Sequence, residues 1–248
     1  MANYVATATR IYLGSLDLSG TANEVDFGSL QVAMADCTTF NDGGYVCVKP
    51  GLKKGSGHIH GYQDYATGGL SQTMDIPAQL GSQFAYTVIP NPTGTVTAAD
   101  TSYIARGVIS EFNPLEATVG EMAGYDITID YDIAFGRSVV LAPLAAQTVT
   151  TTGTAVQIAG PTATQKLYAA LHVTAYSGLT NAIFTIQSDD AVGFPSQTTR
   201  ATFTTVTGVT SEWLTPVAGP WASETHHRVL ATLSGVGSIT YTVSMFIL

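Results

Sequence analysis

Between residues 122 and 135 the chain alternates: Tyr125, Ile127, Ile129, Tyr131 and Ile133 fall on one parity, Asp126, Thr128, Asp130 and Asp132 on the other. Side chains of a strand point to opposite faces with period two. The segment is therefore predicted to be a β-strand with one apolar face turned to a core and one acidic face turned away from it. β-Branched and aromatic residues mark further strands over 4–13, 25–34, 56–62, 83–89 and 101–112. Asn41-Asp42-Gly43-Gly44 and Pro50-Gly51 are turn signals, so 35–48 is predicted to be a hairpin or protruding loop. A short helix is expected over 70–80, its length limited by Pro77.

Only 11% of residues are charged while 45% are hydrophobic, and Thr, Ala, Gly, Ser and Val recur in place of the Leu/Glu/Lys richness of long helices. This composition favours strands. It also leaves much uncharged surface, which burial in an assembly would account for. The net charge is −9 and no Lys/Arg-rich block exists, so the chain lacks the footprint of a phosphate-backbone binder. No stretch approaches the roughly 20 apolar residues of a membrane span, and residues 1–10 lack the apolar core of a secretory signal. Membrane insertion is not expected, and the protein is expected to be made and kept in cytoplasm until release. Cys37 and Cys47 flank the Asn-Asp-Gly-Gly turn, which brings them near one another without fixing their register. A pair of small, partly buried thiols is the favoured expectation, a disulfide the alternative.

The acidity is uneven. Residues 1–147 carry fourteen acidic and six basic side chains, net −8, whereas 148–248 carry four and three, net −1. Residues 141–147, with Pro143, and the Thr-rich run 148–153 lie between the two parts and are read as a domain junction. The expected architecture is all-β, with a 1–147 domain and a 148–248 antiparallel β-sandwich able to fold alone. In the latter, segments 166–175, 182–187, 200–206, 211–217, 225–233 and 238–246 are expected strands, and Val173, Ile183, Phe184, Ile186, Phe203, Trp213, Val229 and Tyr241 the core.

Cys37-Thr-Thr-Phe-Asn-Asp-Gly-Gly-Tyr45, then Lys49-Pro-Gly-Leu-Lys-Lys-Gly-Ser-Gly57 with Gly61-Tyr62, give a Thr-Thr-Phe loop and a Pro-Gly-Leu turn. Ala105-Arg-Gly-Val-Ile-Ser-Glu-Phe-Asn-Pro114, Gly120 and Tyr125-Asp-Ile-Thr-Ile-Asp130 complete the pattern. On these residues, most of 1–140 resembles the tail-tube, or major tail, proteins of long-tailed bacteriophages. Leu171-His-Val-Thr-Ala175, Gln187-Ser-Asp-Asp190, Gly193-Phe-Pro-Ser196, Thr199-Arg-Ala-Thr-Phe203 and residues 228–235 make the remainder look like a domain appended to such proteins or found in other virion components. The resemblance implies a tail-tube-like β-sandwich or barrel in 1–147. It further implies hexameric rings of this chain stacked into a tube beside other tail proteins, assembled in the host cytoplasm and resident in the virion, with 148–248 facing outward.

An acidic wall suits a DNA conduit, because each Lys–phosphate contact would retard a duplex that has to pass without specific binding. Asp126, Asp130 and Asp132 are the lumen-facing candidates, with simple solubility as the plainer account of their charge. The assembly loop is expected to comprise Thr38, Thr39, Phe40, Tyr45, Pro50, Leu52 and Lys53, because Phe40 and Leu52 in a Gly-rich polar segment suit contact with neighbours.

His58 and His60 share a strand face as two metal ligands would, but no further ligand stands at a convincing spacing, and a structural pair is favoured. His226-His227 alternate faces, and His172 in an apolar strand reads as a hydrogen-bonded, partly buried residue. Asp126, Asp130 and Asp132 with Glu121, or Asp189-Asp190 before Gly193, fall short of a carboxylate pair or calcium loop and are better read as a solvated face and a turn. No nucleophile elbow, phosphate loop, dinucleotide fingerprint or His-Glu-x-x-His run occurs, so neither an enzyme nor a cofactor is expected. Trp213 and Trp221 are expected in the core. Exposed, they would serve the alternative function: a decoration or adhesion protein of the virion surface whose C-terminal domain binds host glycans.

Overall fold

The computed structural model describes residues 8–28, 31–39, 45–65, 70, 80–90, 94–132 and 135–248. The chain is all-β, and every strand pairing between described residues is antiparallel. In chain order the first strands are β1 (Arg10–Leu13), β2 (Leu16–Asp17), β3 (Ala22–Asp26), β4 (Gln31–Asp36), β5 (Val48–Lys54), β6 (Ser56–Tyr62) and β7 (Gln83–Ile89). Then follow β8 (Thr101–Glu116), β9 (Gly124–Tyr131), β10 (Gly136–Gln147), β11 (Thr151–Thr152), β12 (Val156–Gln157) and β13 (Lys166–Asp189). The last four are β14 (Thr198–Thr202), β15 (Thr210–Trp213), β16 (Val217–Ala218) and β17 (His226–Ile247). The helix expected over 70–80 falls almost wholly outside the described residues.

The chain divides into two compact units: Met1–Thr21, Gln83–Arg106 and Ile133–Leu248 form the first, Ala22–Ser82 and Gly107–Asp132 the second. These are not the consecutive halves that composition suggests. Residues 141–147 are not a linker but the end of β10, which pairs with β17 from Val139↔Met245 to Gln147↔Ile239. Pro143 is accommodated where that register shifts, between Ala142 and Ala145, and the Thr242 hydroxyl donates to the Ala142 carbonyl at 2.8 Å.

The first unit is organised by two long strands. β13 (24 residues) and β17 (22 residues) pair along nearly their whole lengths, from Leu167↔Ile247 to Asp189↔His226. The four shorter segments read from the sequence, 166–175, 182–187, 225–233 and 238–246, are thus two continuous strands interrupted by a corner. There the register shifts, and Gly178 and Gly235 adopt φ of 73° and 93°. Beyond the corner the ladder folds over itself. Phe184, which pairs with Ala231, meets Tyr241, which pairs with Val173, ring edge to face at 4.6 Å. Leu167, Ala169, Leu171 and Val173 from one arm and Ala182, Phe184, Ile186 and Val229 from the other share one buried cluster. The opposite face of the first arm is covered too: Ala170 and Phe246 pack with Ala85 and Ile104. A strand buried on both faces reads as a continuous apolar run, as 167–171 does before His172.

Val173, Phe184, Ile186, Phe203, Val229 and Tyr241 are buried as expected. Ile183 lies on the outer face and is half-buried, because in strand alternation it opposes Phe184. Trp213 is half-buried beside Tyr168 and Phe246.

The second unit contains the β3-β6-β9 sheet continued by the distal part of β8. The strand expected over 25–34 is broken into β3 and β4 at Gly28, whose φ of 86° suits glycine and whose amide donates to the Asp26 carboxylate at 2.7 Å. A Cβ there would lie 1.3 Å from the Ser56 carbonyl oxygen.

At the corner of the first unit, a Cβ on Gly237 would come within 2.0 Å of the Ser177 oxygen and 2.5 Å of the Leu179 nitrogen, both backbone atoms that cannot yield. Gly237→Ala is expected to cost at least about 2 kcal/mol in urea unfolding. Gly193→Ala, with open space around it, is expected to stay within about 0.5 kcal/mol.

Candidate assembly surface

β4 and β5 form a two-stranded sheet of their own, in register from Gln31↔Lys54 to Asp36↔Val48, and every residue of both strands is exposed. A disulfide joins Cys37 to Cys47 across its end, Cα atoms 5.0 Å apart, in place of the free thiols favoured from sequence. The Cys37 amide donates to the Cys47 carbonyl at 2.9 Å, so the two residues sit opposite one another in the continued ladder and their side chains meet.

An isolated two-stranded hairpin is marginal in water, and this one exposes Val32, Met34, Val46 and Val48 besides Tyr45 (81% exposed) and Leu52 (85%). Of the residues expected to mediate assembly, Thr38, Thr39, Tyr45, Pro50, Leu52 and Lys53 all lie on it and are exposed; Phe40 lies outside the described residues. The apolar alternation of Val32 and Met34 reads as a core-facing strand from sequence, and only the tertiary fold leaves both faces of the hairpin bare.

The other face of interest is on the second unit's sheet. Tyr125, Ile127 and Ile129 are fully buried, and the opposite parity of β9 carries Asp126 and Asp130, both half-buried, with Asp132 exposed just beyond the strand. Directly paired residues share a face. The registers Glu24↔His60↔Asp126 and Asp26↔His58↔Thr128 therefore gather carboxylates and both histidines on one side. His58 donates from Nε2 to Asp126 at 2.7 Å, and His60 donates from Nδ1 to the Asn23 side-chain oxygen at 2.9 Å. At the end of this sheet a cavity of about 500 Å³ is lined by His60, Tyr62, Glu116, Glu121, Met122 and Gly124. Among the described residues no group of three His, Cys, Asp or Glu side chains is placed to hold a metal ion.

In the first unit the remaining sequence-flagged groups are structural. Trp221 is buried with Arg200 over its ring at 4.8 Å, so it presents no stacking face to a sugar. Arg200 in turn donates to Glu224, which also accepts from Ser188. Asp189 accepts from the amides of Ala191 (3.0 Å) and Ser196 (2.8 Å), which is a turn cap and not a calcium loop. His172 is wholly buried, not partly: Nδ1 donates to the Gly14 carbonyl at 2.6 Å and Nε2 accepts from Thr87 at 2.7 Å. Both nitrogens are satisfied by the neutral ring, and burial pushes its pKa down to about 4. Burial lowers His227 to about 4 as well.

No protein-family model matches the chain, and no curated protein does. Among solved structures it is similar in fold to the sheath/tube terminator of the extracellular contractile injection system PVC, in its extended state (10% identity over 55% of this chain and 97% of that one, TM-score 0.44). It is also similar to a chain of the native gene transfer agent virion (15% identity, 54% and 98% covered, TM-score 0.40). The SPP1 Dit protein, a hub of the adsorption apparatus, aligns over 96% of this chain and 99% of its own at 13% identity and a TM-score of 0.37.

Two outcomes are expected. A histidine whose folded pKa lies below its unfolded value of 6.5 leaves stability intact above pH 6.5 and removes it as pH falls toward 4, because only the unfolded chain takes up the proton in that window. Unfolding free energy should therefore fall on acidification across that range, by roughly 1.4 kcal/mol per pH unit for each histidine. His172→Asn should flatten the slope by one such increment in pH-dependent urea titrations. Reduction of Cys37–Cys47 should speed amide exchange over 31–54 while leaving the main thermal transition in place, since the exposed hairpin contributes nothing to a core.

Proposed function

We propose that this chain is a structural protein of a phage virion that self-associates through its β4–β5 hairpin into stacked rings of a tail tube, a conduit for DNA. The observation that carries the reading is the hairpin itself: thirteen strand residues, all exposed, with a row of apolar side chains and no covering layer among the described residues. Such an edge is an aggregation hazard unless a specific neighbour covers it. Its cross-strand disulfide restricts the alternatives open to the free hairpin and so lowers the entropy lost when a neighbour orders it.

In this reading the rings are hexameric, other tail proteins cap the tube, and residues 148–248 face outward. The carboxylate-rich face bearing Asp126 and Asp130 lines the channel together with Asp132. Repetition around each ring sums many small effects into a negative field that keeps phosphate from adhering. Adhesion through a glycan platform is less well supported, because Trp221 is buried beneath Arg200.

Electron microscopy of concentrated protein tests the proposal. Wild type is expected to give rings or tubes. Val46→Asp/Leu52→Asp, which changes only exposed side chains, is expected to give a chain of unchanged circular dichroism and melting temperature that does not assemble. Replacing Asp126, Asp130 and Asp132 with Lys is expected to leave assembly intact while the tubes retain DNA in a salt-dependent way. Tubes that release DNA as the wild type does would remove this face from the lumen.

A further inference from the structure

The second unit carries a second exposed apolar element, at the connection between β8 and β9. Leu115, Val119 and Met122 are exposed there, Val119 completely (104%), next to the exposed Tyr62 of β6. Met122 and Tyr62 line, with Glu116 and Glu121, the cavity at this end of the sheet. The tip itself carries Glu116 and Glu121, and from residue 107 to 136 the chain has no Lys or Arg, whereas Asp130 and Asp132 belong to the other end of the sheet, beside Ser56. The β4–β5 hairpin is the reverse. Lys49, Lys53 and Lys54 are three of only nine basic residues in the chain, and among its described strand residues Asp36 alone opposes them. One surface is apolar and basic, the other apolar and acidic.

Their placement decides who can pair with whom. The hairpin leaves the second unit's sheet at the Ser56 end of β6, where Lys54 precedes it and Ser56 pairs with Asp130. The β8–β9 tip stands at the other end, where Tyr62 pairs with Gly124 and Gly124 with Glu116. Seven residues of β6 at about 3.3 Å each set the two ends roughly 20 Å apart. Both surfaces are exposed, so neither covers the other within one chain. Two different, complementary surfaces at opposite ends of one sheet make a head-to-tail contact, which propagates from copy to copy until a ring closes or a filament extends.

We propose that the β4–β5 hairpin of one copy docks on the acidic β8–β9 tip of the next. Lys49 and Lys54, which share one face of the hairpin through their pairing with Ala35 and Gln31, meet Glu116 and Glu121, and Leu52 covers Val119 and Met122. The proposal rests on the self-association reading above and adds the receiving surface. Charge complementarity selects the partner and the register, and desolvation of the apolar residues supplies most of the affinity.

The test is a charge swap followed by size-exclusion chromatography with light scattering. Lys49→Glu/Lys54→Glu and Glu116→Lys/Glu121→Lys are each expected to lose the assembled peak, with wild-type melting temperatures as the check on folding. Mixing the two variants in equal amounts is expected to restore it, because each then offers the other one native and one reversed pair. Val119→Asn, at a side chain that touches nothing, is a second probe of the tip and should weaken assembly. A tip variant that assembles normally while the hairpin variant does not would overturn the receiving surface and leave the hairpin reading standing. Normal assembly by both charge variants would overturn both, as would a wild-type chain that associates only when a different tail protein is added. Loss in both variants without rescue on mixing would overturn the pairing.

Discussion

The edge-to-face contact of Phe184 and Tyr241 records the constraint on which the first unit depends: a ladder of two strands, each more than twenty residues long, has to fold over itself. A flat hairpin of that length would expose one whole apolar face. By turning at Gly178, Gly235 and Gly237 the ladder lays its two arms together, and the residues that alternate inward on each arm become one core. The backbone makes this corner because glycine tolerates positive φ and because no Cβ fits where Gly237 passes Ser177 and Leu179.

The same ladder sets what surrounds it. β10 adds to one edge of β17, which draws residues 136–147 into the first unit and makes the compositional boundary near 147 an internal position of a sheet. The second covered face of the first arm holds a buried neutral histidine, tied by Gly14 and Thr87 to the turn after β1 and to β7. That arrangement gives the fold an acid-labile element. The second unit has a different economy of surface: its sheet buries Ile59, Ile127 and Ile129 on one side and presents histidines and carboxylates on the other. Its exposed apolar residues concentrate in the β4–β5 hairpin and the β8–β9 tip, the two places where charge has opposite sign.

Strand identity was legible wherever local pattern and burial agree. The segments 56–62 and 83–89 are strands with the bounds their alternation predicts, and the apolar parity of β9 is fully buried. The antiparallel pairing of β4 with β5 stands on either side of the Asn-Asp-Gly-Gly turn signal, which itself lies outside the described residues. Pairing of Cys37 with Cys47 was not legible, because register is a property of two strands together and a shift of one residue would turn the thiols to opposite faces. The β8–β9 tip was missed altogether: Leu115, Val119 and Met122 are ordinary apolar residues until the fold leaves them uncovered.

The sequence by itself determined the all-β class, the acidic and apolar faces of β9, the absence of catalytic motifs and the position of the exposed hairpin, since each follows from residues within a few positions of one another. Tertiary structure alone decided that 166–175 and 182–187 are one strand, that Pro143 lies within a paired strand, and that residues 22–82 and 107–132 form a unit apart from the rest. The reason is physical. Hydrophobic periodicity reports which side chains seek cover, but the partner that covers them is chosen by contacts between segments as much as 100 residues apart, as Thr242 and Ala142 are, and no local signal encodes that choice.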